Sequence, residues 1–331
     1  MKNPLLLALA LTMSAPAFAA HVPAPEYAIA AHAALGGEGG WDYLSLDATS
    51  HRLFIARDDR VMVMDTRSGR LVGQIGGMQH AHGVALVPSR HRGYVSNGHG
   101  DNVSVIDTHT LQVVGQIAVS GKDPDAIIVD PASGHVLAMN GHSNSISVID
   151  PVAAKEIATI ALPGNPEFAV TDGKGHLWVN LEDAGKLARI DLVSGTITHV
   201  WPLAPCEGPT GLALDAVGHR LFSVCANGVL AVTDADDGHQ VAQLAIGKRP
   251  DAVAFDAEKH NVLSSSGEGT LDVIYQNDVD HYTVVQKLAT LKSARTLALD
   301  PHTHRVFLAG AKVAVKGEPV RGFTVITVVA H

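Results

Sequence analysis

The chain has 331 residues, a formal net charge of −9, and only 17% charged and 5% aromatic residues. An acidic surface of this kind repels phosphate backbones, which argues against a general nucleic-acid binder. The two cysteines, Cys206 and Cys225, form no C-x-x-C-H, so covalent c-type haem is not expected.

The first 20 residues, MKNPLLLALALTMSAPAFAA, carry Lys2, an apolar run from Leu5 to Met13, and small residues at Ala17 and Ala19. This is the pattern of a signal peptide cleaved after Ala19, over residues 1–19. The apolar run is far shorter than the roughly 20 residues a membrane span needs, and no later stretch is long enough. The expectation is an exported protein, periplasmic or secreted, with residues 20–331 as a single domain and no membrane span. Losing Lys2 with the leader would take the net charge from −9 to −10.

A repeat organises the rest. WDYLSLD at 41, HGVALVP at 82, PDAIIVD at 124, PEFAVTD at 166, PTGLALD at 209, PDAVAFD at 250 and ARTLALD at 294 align, with steps of 41, 42, 42, 43, 41 and 44 residues. Each unit continues with a polar turn and a second apolar run, then a Gly/Asn/Asp turn and a third run, and usually a fourth. Short runs rich in Val, Ile and Leu between turn residues read as strands, and four strands at this period read as a propeller blade. Seven units predict a seven-bladed, all-β propeller with four-stranded blades. The last unit has three runs, so residues 26–35 are expected to supply its outer strand and close the ring, leaving no exposed edge. Residues 311–321 read as an insertion in that last blade.

At YVSNGHGDNVSVIDT (94–108), with a weaker copy AMNGHSNSISVID (138–150), the chain resembles the YVTN-repeat β-propellers, a bacterial family of mostly exported proteins. The resemblance covers everything after the leader. It implies the propeller fold and export, and it supplies no shared catalytic residues. Some related propellers are lactonases or lyases.

Nineteen histidines suggest a metalloprotein until they are placed on the repeat. His51, His91, His135, His176, His219, His260 and His304 all fall at the turn into the second strand. An element in every unit marks no single active site. The Asp–His pairs four apart, such as Asp172–His176, therefore read as turn chemistry rather than as acid–base dyads. His80, His82, His99 and His142 fall instead on loops of the opposite, upper face. For His99 and His142 an exposed turn role is the plainer reading, because NGHGDN and NGHSNS are hairpin-turn sequences.

The first residues of the inner strands open at that face around the channel: Asp42, Gly83, Asp125, Glu167, Thr210, Asp251 and Arg295. Trp41 and Phe168 are expected to add apolar walls. The sharp reading is a ligand site at Trp41, Asp42, His80, His82, Asp125, Glu167, Asp251 and Arg295. A divalent metal would be held by members of the set Asp42, His80, His82, His99, Asp125, Glu167 and Asp251. Carboxylates alone suit Ca²⁺, and added imidazoles shift the preference to Zn²⁺ or Cu²⁺. The plain reading is a solvated polar rim whose acids bond backbone N–H groups and water. Cys206 and Cys225 lie at the top of one unit and are expected to form a disulfide across the loop APCEGPTG.

Three functions follow. The first is a monomeric binding protein that holds a small ligand, a metal ion or an exported partner protein at the mouth. The second is a metal-assisted hydrolase, lactonase or lyase using the same acids. The third is a structural scaffold acting through its surface loops. A G-x-S-x-G, a phosphate loop and an H-E-x-x-H are all missing, and the reading leans away from an enzyme.

Overall fold

The computed structural model describes residues 26–312 and 320–331. The leader expected over residues 1–19 and the centre of the 311–321 insertion lie outside the described residues.

The chain folds as an all-β propeller, and its described strands form six sheets rather than seven. Five have four strands. The remaining one, spanning residues 44–118, has six. The expectation of seven blades is therefore corrected to six, and the reason lies in the first two repeats. Strand Arg52–Asp65 pairs Leu44–Asp47 through its first half and Leu71–Val87 through its second. The backbone pairs Asp58↔Ala81 and Ala81↔Asn97 then stitch the first repeat to the second. The stretch GGMQHAHG, which reads as a loop between blades, is strand within the 17-residue Leu71–Val87. Positive φ at Asp58 (45°), Gly77 (87°) and His80 (65°) lets the chain bend there without breaking the sheet.

Strand Tyr27–Ala34 lies antiparallel to Thr324–Ala330, from Tyr27↔Ala330 to Ala34↔Thr324. That last sheet therefore joins both ends of the described chain. Its partner strands Val306–Gly310 and Thr296–Leu299 run inward to the channel.

The core sits between neighbouring sheets rather than in one centre. Leu53 and Ile55 meet Phe307 and Val325 across the closure. Trp178 meets Leu221 and Ala231, and Phe222 and Val224 meet Ile274. Phe54, Phe222 and Phe307 are fully buried, each contributing about 1.5–3 kcal/mol of transfer free energy. Both faces of the inner sheets are covered. This is why the runs are apolar at successive positions instead of alternating.

The closing connection, GGEGG at 36–40, is held mainly by Arg57, with Arg60 also donating to Glu38 O. Arg57 is fully buried. Its Nε donates to Gly40 O (2.7 Å), and its Nη2 donates to the carbonyls of Glu38 (2.9 Å) and Gly39 (3.0 Å). Longer contacts reach Gly36, Gly37 and Met62 Sδ, and the guanidinium lies 3.8 Å from the Phe323 ring centroid. Burial pulls its pKa down to about 10, so it stays charged at neutral pH.

The turn histidines have a backbone role. His51, His91, His219, His260 and His304 adopt left-handed φ between 51° and 57°. The aspartates before them serve the same turns: Asp47 accepts from the N–H groups of Thr49 and Ser50, and Asp300 from those of His302 and Thr303. Asp172 also holds its histidine, with His176 Nδ1 at 2.8 Å.

Candidate functional site

The first residues of successive inner strands meet at the channel mouth. His82 is the hub. Its Nδ1–H donates to Asp42 Oδ2 at 2.7 Å, and the same nitrogen lies 3.4 Å from Asp125 Oδ1. Its Nε2 faces Asp123 Oδ1 at 3.9 Å. The donor atoms of Asp42, His82 and Asp125 all fall within 4.8 Å of one another, which is the spacing of a metal-ligand set. Two atoms in this group, His82 Nε2 and Asp125 Oδ1, are buried without a hydrogen-bond partner. Buried polar atoms are usually paired with protein or with water.

Around this hub, Arg295 Nε donates to Asp251, and Arg295 Nη2 lies 3.6 Å from Asp42 Oδ1. Tyr43 closes the floor. It leaves the strand of the first repeat and crosses the channel. Its hydroxyl donates to Glu167 Oε1 at 3.0 Å, and its ring packs on Phe168 at 5.1 Å. Beneath it lies a cavity of about 80 Å³, lined among others by Ile127, Leu212, Val253 and Leu297. Drug-sized ligand pockets run to roughly 300–1,000 Å³, so this cavity is small beside them.

Acids outnumber bases here, and the protonation equilibria show it. Burial raises Asp125 well above the usual carboxylate range, and the charges of Asp42, Asp251 and Asp123 raise it further. Glu167 is raised in the same way by burial and by Asp125 and Asp251. Asp251 rises to about 6 through burial, despite Arg295 beside it. For His82, burial acts downward, and the Asp42 hydrogen bond with the surrounding carboxylates outweighs it, so the net shift is upward. The mouth therefore retains protons that the same groups would release in water.

The remaining expected residues divide. His80 joins the outer edge: its Nδ1 binds Asp58 Oδ1 at 2.9 Å, its ring meets His82 edge-on at 4.5 Å, and it stacks on His99 at 4.2 Å. His99 reaches no carboxylate of the hub. Glu167 is committed to Tyr43 and Asp251 to Arg295, so neither belongs to the three-ligand set. Trp41 does not face the hub with them; its indole N–H donates to Ala309 O (3.1 Å) and its ring packs on Phe323.

Three contributors were not singled out from sequence: Tyr43, Asp123 and Glu182, the last a half-buried acid whose pKa is raised by burial and Asp183. Asp123 carried a readable signal. It stands two residues before Asp125, as Gly208, Arg249 and Ser293 stand before Thr210, Asp251 and Arg295, and all four have positive φ. A second tier of loop residues thus recurs above the ring. Gly98 makes room for it: a Cβ there would lie 2.3 Å from Asp123 Oδ1 and 2.8 Å from His82 Nε2.

At the top of the fifth repeat, Cys206 and Cys225 form a disulfide, tying the loop before strand Pro209–Asp215 to the end of strand Arg220–Cys225. Among the described residues no helix is long and apolar enough to cross a membrane.

No family model matches the chain. Over 73 residues it is 38% identical to "Uncharacterized protein YncE" of Salmonella typhimurium and of Salmonella typhi, a stretch covering 22% of this chain and 20% of either relative. The match thus spans about a fifth of those proteins' length. Among solved structures, Kuenenia stuttgartiensis hydrazine synthase superposes with a TM-score of 0.75 at 18% identity, covering 82% of this chain and 93% of that one. The RRP9 WD40 repeats give 0.80 at 10% identity over 93% and 99%. U3-55K gives 0.77 at 11% over 92% and 99%. At these identities the likeness is one of fold.

Proposed function

We propose that this chain is an exported β-propeller of the YVTN-repeat type, and that it works as a binding protein taking a small positively charged ligand at the channel mouth. One observation carries the reading. Asp42, Asp123, Asp125, Glu167 and Asp251 converge around Arg295 and His82, with His142 Nδ1 3.3 Å from Asp123 Oδ2, and two buried polar atoms of the group lack partners. Like charges brought this close are unfavourable unless protons or a cation neutralise them. The rigid ring positions them regardless, because Asp42, Asp125, Glu167 and Asp251 stand at the starts of different inner strands, and Asp123 precedes the strand of Asp125.

The small cavity favours binding at the rim over a buried substrate pocket. Export is supported by the leader pattern and by the disulfide, which suits an oxidising compartment. The partial match to the YncE proteins supports the family reading.

The test is thermal unfolding of the purified protein with a panel of cations (Zn²⁺, Ca²⁺, methylguanidinium) against phosphate and citrate. At least one cation should raise the melting temperature of the wild type, and an Asp125→Asn/Glu167→Gln double variant should lose that response. A panel in which no cation shifts the transition would sink the proposal.

A further inference from the structure

We infer that the mouth is a transition-metal site of the Zn²⁺ kind, with Asp42, His82 and Asp125 as ligands and one coordination position left open to solvent. This rests on the reading that the mouth takes a cation, and it names the cation.

The donor set selects the metal. Ca²⁺ asks for about six to eight oxygens, whereas the hub offers one imidazole nitrogen and two carboxylates. An imidazole with carboxylates suits Zn²⁺ and its neighbours in the first transition row. Ligand atoms about 2.0–2.2 Å from a tetrahedral ion stand about 3.4 Å apart. His82 Nδ1 and Asp125 Oδ1 already have that separation, at 3.4 Å. The 2.7 Å contact from His82 to Asp42 is shorter because a proton now occupies it. When the ion enters at Nδ1, the imidazole keeps one proton on Nε2, facing Asp123, while any second His82 proton and the proton held by Asp125 leave for solvent, and His82 and Asp42 move apart by roughly 0.7 Å.

The surroundings fit a ligated histidine. Metal-bound imidazoles commonly point their second nitrogen at a carboxylate that fixes the ring. Asp123 stands in that place, 3.9 Å from Nε2, within reach after a small closure. The otherwise unexplained orphans, His82 Nε2 and Asp125 Oδ1, are then a positioning contact and a ligand. Arg295 lies nearer the other oxygen of Asp42, Oδ1, and leaves Oδ2 for the ion. Gly98 keeps the space between Asp123 and His82 clear.

A fourth protein ligand is not supplied. His80 is the nearest imidazole, and its Nδ1 is already held by Asp58. Three protein ligands with an open position is the arrangement of zinc sites that bind water or an exogenous ligand, rather than of closed structural sites. The second His/Asp group of the molecule, Asp234, Asp237 and His239, differs in kind. It is exposed at a hairpin turn, and its Asp234 is occupied by the N–H groups of Asp236 and Asp237.

The experiment uses chelator-stripped full-length protein at neutral pH, titrated with Zn²⁺ by calorimetry and with Co²⁺ followed by its visible absorption. One ion should bind per chain, with a Co²⁺ spectrum of low coordination number. His82→Ala and Asp125→Asn should each weaken binding by about 100-fold or more, and Asp123→Asn by about 10–100-fold, as for positioning carboxylates elsewhere. His239→Ala should leave affinity and stoichiometry as in the wild type. Melting curves of each variant separate loss of the site from loss of the fold, and Asp125→Asn relieves crowding, so it should fold. Zn²⁺ binding that survives both His82→Ala and Asp125→Asn overturns the inference. So does a wild type that ignores Zn²⁺ and Co²⁺ while methylguanidinium raises its melting temperature, although the cation reading then stands. If no cation binds, both fail.

Discussion

Two regions of this propeller bury charge, one inside the first repeat and one across the ring of inner strands, and they treat it oppositely. The clamp at Arg57, with Arg60 and Asp59 nearby, buries a guanidinium that has no ion pair among the described residues, yet it is saturated by carbonyls of the GGEGG connection, by Met62 and by the Phe323 ring. The mouth gathers acids in excess and leaves His82 Nε2 and Asp125 Oδ1 without partners. The clamp is complete as it stands, and its job is closure. On the proposed reading, the mouth is completed by a bound cation. Saturation of hydrogen-bonding capacity, more than burial or charge, separates a structural polar cluster from a site that waits for a ligand.

The largest effect is expected at the clamp. Arg57→Met keeps the packing on Phe323 and strips the donors from several carbonyls at once. Leaving such groups unpaired should cost about 3–5 kcal/mol, read from denaturant unfolding. Arg57→Lys should recover only part of that, because an ammonium cannot present the planar fork. If Arg57→Met proved neutral, the contrast with the mouth would collapse. Opening the Cys206–Cys225 disulfide comes next. Its loop spans 19 residues, for which chain entropy gives about 3 kcal/mol. Unfolding midpoints with and without reductant check it, as does a count of free thiols in the unreduced, denatured chain, expected to be zero.

The mouth should respond to pH in the direction its crowding dictates. Asp251 is raised to about 6, and Asp125, Glu167 and His82 are also raised. The folded state therefore holds protons that the unfolded chain has released. Stability from these groups is present on the acid side and is lost as pH rises through their folded-state values. Metal-free protein should lose on the order of 2 kcal/mol between about pH 5 and pH 8. Glu167→Gln imitates the protonated acid and keeps an oxygen for Tyr43, so it should flatten the profile. Saturating Zn²⁺ should flatten it too. A profile that rises over this window would mean the acids are not crowded in solution.

Much of this was legible in the sequence, and what was not has identifiable causes. The repeat spacing revealed the propeller strands, because turn residues bracket each apolar run. The disulfide followed from the positions of Cys206 and Cys225 at one end of a single unit. The ring of Asp42, Asp125, Glu167, Asp251 and Arg295 came from strand register, since each occupies the same place in its repeat. Sheet number did not follow. Whether adjacent repeats separate depends on single backbone pairs such as Asp58↔Ala81, which leave no mark in composition. Arg57 was hidden because RDDR between two strands reads as a solvated hairpin tip. Tyr43 was hidden because a side chain that crosses the channel touches Glu167, 124 residues away, and periodicity carries no such information.

The smallest expected effect distinguishes the two kinds of histidine. His260 is exposed at a turn with φ of 53°, and its side chain belongs to neither the clamp nor the mouth. A Cβ in this region of backbone space costs about 1–2 kcal/mol, part of which glycine returns through its larger unfolded-state entropy. His260→Gly should therefore stabilise the fold by about 0.5 kcal/mol, a rise of one or two degrees in melting temperature for a chain this long. Zn²⁺ affinity should not change. His82→Ala is the mirror case: it should abolish the metal response, and it should also cost some metal-free stability, because it removes the partner of Asp42 from a mouth where acids are in excess. Were His260→Gly to weaken Zn²⁺ binding, the turn histidines would be part of metal capture, and position in the repeat would no longer separate them from His82.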